Sequence, residues 1–119
     1  MAYVDGFLLA VPKKNRDKYL KMARLGAKVW KDHGALAYVE AVADDVKPGK
    51  WTSFPQAVKL KAGEEVWFSY AVYKNRAHRD RVMKKVMVDK RFDVYKDVKK
   101  LPFDGKRMIW GGFKVAVEL

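Results

Sequence analysis

The sequence predicts an α+β domain in which two helices cover one face of a four-stranded antiparallel sheet. Three observations lead to this fold class. Apolar residues recur at helical spacing in two stretches, residues 16–32 and 76–88, and strand-like runs lie on both sides of each stretch. The chain has 119 residues, the size of one domain. Half of its residues are apolar, which suits a single hydrophobic core over residues 1–119.

The first half of the chain is predicted to form a strand, a helix and a second strand. Residues 3–11 are apolar on both faces apart from Asp5, and the proline that follows ends the strand because it lacks an N–H. Asn15 is a candidate N-cap for the helix over residues 16–32, and Gly34 suits a left-handed C-terminal cap. A second strand is predicted over residues 35–43. The helix face toward the sheet consists of Tyr19, Met22, Ala23, Gly26, Val29, Trp30 and His33.

The long connection between the second and third strands is ambiguous. Residues 47–50 predict a turn. Val58 and Leu60 alternate with lysines, which favours a short edge strand whose basic residues discourage pairing with another sheet. Residues 52–56 are interpreted either as an ordered packing loop, which we favour, or as a lid or dimer arm.

The second half repeats the pattern. A strand is predicted over residues 65–73, and Asn75 caps a helix whose apolar stripe is Val82, Met83, Val86 and Met87. A short irregular helix over residues 92–100 would point Phe92, Tyr95, Val98 and Leu101 inward. The last strand is predicted over residues 108–119, with Ile109, Phe113, Val115 and Val117 on one face. The order βαββαβ is the ferredoxin-like arrangement.

The strands are apolar on both faces, whereas two helices can cover only one. The uncovered face therefore needs a partner, and a second copy of the same sheet provides one. We expect a symmetric homodimer with its sheets face to face.

Composition excludes several classes of function. The chain has no cysteine, so disulfide scaffolds, iron–sulfur centres, thiol nucleophiles and cysteine zinc sites are excluded. Its two histidines are far apart in sequence, and no nucleotide-binding or hydrolase motif is present, so neither a metal nor a cofactor is expected. No apolar run is long enough to span a membrane. A cytoplasmic protein without membrane association is the default expectation.

The net charge of +12 makes RNA or another polyanion a candidate partner. A basic surface that serves solubility alone is the other interpretation. The charge by itself does not choose between them.

Polar residues within apolar strands are the candidates for chemistry, because burying them without partners is costly. Glu40 in the second strand and His78 at the start of the second helix are the candidate catalytic acid–base pair. The alternative is that Asp5 or Glu40 pairs with a basic residue or points to solvent. Candidate substrate-binding residues include the anion anchors Arg79 and Arg107. The remaining ones are Asp5, Ser69, Phe103 and Trp110.

A set of short motifs is distributed over nearly the whole chain. They are Tyr3-Val4-Asp5-Gly6-Phe7, Val11-Pro12-Lys13-Lys14-Asn15, His33-Gly34-Ala35-Leu36, Tyr38-Val39-Glu40, Asp44-Asp45-Val46, Thr52-Ser53-Phe54-Pro55-Gln56-Ala57-Val58-Lys59, Arg76-Ala77-His78-Arg79-Asp80, Pro102-Phe103-Asp104-Gly105-Lys106-Arg107-Met108 and Gly111-Gly112-Phe113. As a set they resemble the domain-of-unknown-function family 1428, the YbaA-like proteins. The resemblance implies a branch of the dimeric α+β barrel superfamily, with a pocket between sheet and helices. It implies no particular reaction.

Three functions follow as hypotheses. The first is a homodimer that binds a small organic molecule, with proton transfer or cofactor-independent oxygenation as the chemistry. The second is a module that binds RNA or another polyanion through the lysines of both helices. The third is a stable dimer without catalytic function. The sequence does not decide whether the protein is an enzyme.

Overall fold

The computed structural model describes residues 2–119 and confirms the ferredoxin-like fold. The elements that position the site are β1 (Tyr3–Pro12), α1 (Arg16–Asp32), β2 (Ala37–Val42), α2 (Phe54–Ala57), β3 (Glu64–Tyr73), α3 (Arg76–Met87) and β4 (Ile109–Lys114). All neighbouring strands are antiparallel, in the order β2-β3-β1-β4. Three short 3-10 segments lie between α3 and β4: Lys90–Lys96, Val98–Lys100 and Gly105–Arg107.

The helix ends follow the local chemistry that the sequence predicts, with one exception. The Asn75 side chain accepts a hydrogen bond from the His78 N–H at 2.8 Å and so caps α3. Gly34 has a φ of 110°, which a residue with a Cβ rarely adopts. Asn15 precedes α1 but does not cap it with its side chain. Its amide instead donates to the Pro102 carbonyl at 3.0 Å, and this bond ties the start of α1 to the chain before β4.

The predicted edge strand at Val58 and Leu60 is wrong. This stretch follows the short helix α2, which the Ser53 side chain caps, and turns at Lys59 with a φ of 52°. The Leu60 N–H donates to the Pro55 carbonyl at 3.0 Å. Because the backbone bonds are made locally, they do not form a strand ladder.

The last strand and the segment before it differ from the prediction, because apolar residues continue past the point where each element ends. The predicted last strand stops at Lys114, because its neighbour β1 begins at the opposing Tyr3. Val115 and Val117 therefore lie beyond the strand. Val98 is 75% exposed instead of inward-facing, since Asp97 caps a new 3-10 segment there and changes the direction of the side chains.

The two faces of the sheet differ in what covers them. The face toward α1 and α3 carries the buried residues Leu9, Trp67, Ala71 and Tyr73, and the main core lies there. The other face carries alternate residues of the same strands, among them the partly exposed Phe68, Ile109 and Phe113. None of the helices in residues 2–119 is both long and apolar enough to cross a bilayer.

Candidate functional site

A cavity of about 490 Å³ lies between the sheet, α1 and the chain that leads into β4. The sheet supplies its base, α1 supplies one wall, and residues 92–108 supply the opposite wall. Its lining includes Phe7, Tyr19, Met22, Gly26, Trp30, Tyr38, Glu40, Ser69, Phe92, Tyr95, Lys96 and Phe103. Its lining is mostly aromatic and aliphatic, as expected of a small-molecule site.

Glu40 is the carboxyl group of this cavity. Its two oxygens accept hydrogen bonds from the Tyr19 hydroxyl at 2.8 Å and the Tyr38 hydroxyl at 2.9 Å. Ser69 is its direct partner across the β2–β3 ladder. Three hydroxyl groups from α1, β2 and β3 therefore surround one carboxyl, and this holds it in a defined position.

Burial raises the pKa of Glu40 above its ordinary value. Hydrogen bonds from Tyr19, Tyr38 and Ser69 oppose this shift by favouring the charged form. Burial and the neighbouring carboxylate raise the pKa of both Tyr19 and Tyr38. The tyrosines thus stay protonated as donors at neutral pH, and Glu40 is the group of this cluster whose protonation can change.

Gly26 controls how closely α1 approaches this cluster. A Cβ atom at this position would lie 2.9 Å from the Tyr38 hydroxyl oxygen, closer than real Cβ contacts allow. Alanine here would push away the hydroxyl that donates to Glu40. The absence of a side chain at Gly26 therefore leaves room for the Tyr38 hydroxyl beside Glu40.

We expect Gly26→Ala to raise the pKa of Glu40 further, because the carboxylate loses a donor. A carbon-detected NMR titration of the Glu40 carboxyl measures this. Gly105→Ala is the matched control, since a Cβ at this other lining glycine would make only an ordinary contact with Leu101. If the pKa of Glu40 is the same in Gly26→Ala as in the parent protein, the Tyr38 hydroxyl does not stabilise the charged form of Glu40, and this interpretation is wrong.

The structure brings three of the candidate residues together and leaves the others elsewhere. Glu40, Ser69 and Phe103 line the cavity. Asp5 is 1% exposed and forms an ion pair with Arg79, whose Nε lies 3.1 Å and 3.0 Å from its two oxygens and whose Nη2 lies 3.0 Å from one of them. That pair lies outside the cavity lining, between β1 and α3.

The remaining candidates also lie outside the cavity lining. The His78 Nδ1 accepts a hydrogen bond from the Lys74 N–H at 3.0 Å, and its ring lies against Tyr73. Arg107 binds Glu64 at 2.6 Å and is 14% exposed. Trp110 stacks on Phe7 with ring centroids 6.4 Å apart and is 58% exposed. His78 therefore does not share a cavity with Glu40.

Comparison with known proteins decides the family. The sequence model of the family described as "Protein of unknown function (DUF1428)" matches residues 2–105. The chain belongs to the DUF1428 family. The "Uncharacterized protein YbaA" of Escherichia coli K12 is 45% identical over 118 residues, which cover 99% of both chains. The protein of the same name from Shigella flexneri matches equally well.

A solved structure supports the fold of this DUF1428 member. It is a dimeric ferredoxin-like protein from an uncultured marine organism, with a TM-score of 0.60 and 12% identity. The match covers 99% of this chain and 98% of the other. At this identity the likeness shows the shared ferredoxin-like fold.

The tyrosine donors of this DUF1428 protein were absent from the predicted site. Tyr38 precedes Glu40 by two residues, so strand alternation puts both on one face. Tyr19 was already on the predicted inward face of α1. What the sequence could not show is that α1 crosses the sheet where the Tyr19 hydroxyl reaches Glu40.

Proposed function

We propose that this protein binds a small organic molecule in the cavity between sheet and helices, with Glu40 as the group that exchanges a proton with it. The observation that supports this proposal is the single carboxyl group, which lies among hydroxyl groups in a mostly apolar cavity. A carboxyl with a raised pKa in such surroundings suits acid–base work near neutral pH. Ser69 and Phe103 are the proposed substrate-binding residues beside it.

The chemistry available to the chain's own residues is proton abstraction from a bound molecule. Glu40 would take the proton, and the Tyr19 and Tyr38 hydroxyls would hold the carboxyl in place. Proton transfer of this kind also begins many oxygenations that need no cofactor. We assign no role in this step to His78, Arg79 or Arg107, since these side chains bind elsewhere.

We propose further that the protein is a homodimer. The sheet face opposite the helices carries Phe68, Ile109 and Phe113 at 45–65% exposure, and Phe54 packs at its edge against Phe68. Such a face costs free energy in water. The fold neighbour named above is described as dimeric. Pairing two such faces would leave both cavities, on the helix side, accessible.

Ligand-observed NMR with a library of apolar fragments tests the binding site. We expect fragments to bind the parent protein and to lose binding in Met22→Trp, which fills the cavity from α1. Lys21→Trp is the control, because it places the same side chain on an exposed position of the same helix. Circular dichroism of both variants checks folding. Binding that survives Met22→Trp, or no fragment bound to the parent protein, would overturn the proposal.

Polyanion binding is the second candidate. The outer surface of α1 exposes Lys18, Lys21, Arg24, Lys28 and Lys31, and only Lys28 of these forms an ion pair within residues 2–119. A basic helix surface attracts phosphates without specificity. We rank this below the cavity, because a dispersed set of lysines supplies charge and no defined binding geometry.

A further inference from the structure

We infer that the cavity ligand is an organic cation, a protonated amine whose ammonium group lies beside Glu40. This inference rests on the proposed function, since it names the class of molecule that the same cavity takes. Three features of the cavity support this inference. It contains a carboxyl group without a cationic partner, aromatic rings line its walls, and the nearby basic residues are paired with other carboxylates.

Glu40 has hydrogen-bond donors but no counter-ion. None of the salt bridges within residues 2–119 involves it. The other inward-facing acids of the sheet are paired, Asp5 with Arg79 and Glu65 with Arg16. An ionised carboxylate accepts about four hydrogen bonds, so the two tyrosine hydroxyls and Ser69 leave room for another donor. A ligand ammonium would supply both that donor and the missing positive charge.

The walls of the cavity are suited to a positive charge. Seven aromatic side chains line it: Phe7, Tyr19, Trp30, Tyr38, Phe92, Tyr95 and Phe103. The ring of Trp30 lies 5.4 Å from that of Tyr38 and 5.8 Å from that of Phe92, measured between centroids. Tyr19 and Phe103 form a second pair at 5.8 Å. Aromatic faces carry negative electrostatic potential, so organic cations bind among such rings.

The cavity offers few unpaired positive charges to an anionic ligand. Lys96 is the basic side chain in the lining, and it is 62% exposed and paired with Asp93 at 2.9 Å. Arg79 and Arg107 are held by carboxylates outside the cavity lining. The basic surface does not forbid a cation inside, because salt screens exposed charges over about 10 Å.

Three probes of one shape and different charge test the inference: phenethylammonium, phenethyl alcohol and phenylacetate. Affinities are measured at neutral pH and moderate salt by calorimetry, with intrinsic tryptophan fluorescence as a second readout. We expect the cation to bind at least about tenfold more tightly than the neutral alcohol, because close charge pairs in partly buried sites contribute this much or more. The anion should bind most weakly.

Variants of the protein distinguish the contribution of the ligand's charge to binding from that of its shape. We expect Glu40→Gln to weaken phenethylammonium binding by about 30-fold or more and to change the affinity for the alcohol little. Glu118→Gln removes the same charge from an exposed residue and is the matched control. Phe92→Leu should weaken cation binding by about threefold or more through loss of an aromatic face, with little effect on the alcohol. Thermal unfolding confirms that each variant is folded.

The outcomes distinguish the inference from the proposed function. Equal or tighter binding of the alcohol or of phenylacetate, or a cation affinity unchanged in Glu40→Gln, would overturn the cation inference. So would failure of phenethylammonium to bind at millimolar concentration. The proposed function would still stand in each case if apolar fragments bind the parent protein and lose binding in Met22→Trp. Failure of that fragment experiment overturns both.

Discussion

Asp5→Asn is expected to lower the free energy of unfolding by about 3–5 kcal/mol, the usual cost of removing one partner of a buried ion pair. Asp5 is 1% exposed and Arg79 is 15% exposed, so the guanidinium would lose its buried partner and keep only the more exposed Asp80, 2.9 Å away, as a counter-ion. Arg79 also lies over the Tyr3 ring at 5.2 Å. The pair therefore joins β1 to α3.

Urea denaturation measures this loss. Asp17→Asn is the control, because Asp17 is exposed and we expect a change within about 0.5 kcal/mol there. The double variant Asp5→Asn/Arg79→Met removes the stranded charge and should recover much of the loss. A loss below about 1 kcal/mol in Asp5→Asn would show that Asp80 and water are sufficient to stabilise the charge of Arg79, and would contradict the buried-pair interpretation.

Phe68→Lys is expected to convert the proposed dimer to a monomer. Sedimentation velocity of the parent protein should give about twice the chain mass of 13.8 kDa. Phe68 lies on β3, a central strand, and is 46% exposed on the face away from the helices. A lysine in each copy would place two unpaired charges inside the interface, where burial without a partner is prohibitive.

Val88→Lys serves as the control for Phe68→Lys. Val88 is 73% exposed directly after α3, on the helix side of the sheet, so a lysine there should leave the dimer intact. Circular dichroism should show that both variants retain the fold. Monomeric parent protein would refute the dimer, and a Phe68→Lys variant that remains dimeric would place the interface on another surface.

The positions of the candidate residues show how much of the site could be predicted from the sequence. Glu40 was a candidate because a carboxyl stood in an apolar strand, and the structure places it in a cavity. His78 was paired with it because an imidazole at the start of the second helix was expected near the edge of the sheet. The structure orients this ring toward Tyr73 and the Lys74 N–H. Arg79 and Arg107 were assigned to a substrate, yet their partners Asp5 and Glu64 lie 74 and 43 residues away in sequence.

The sequence by itself determined the α+β class, the order of the main elements, the span of α1 and the cap positions at Gly34 and Asn75. These depend on apolar spacing and local backbone chemistry, which neighbouring residues specify. Only the tertiary structure decided that Tyr19 reaches Glu40, that both arginines are occupied, and that residues 92–108 form the second wall of the cavity. Those contacts depend on strand register and on how α1 crosses the sheet, and a shift of one residue would turn each strand side chain to the other face.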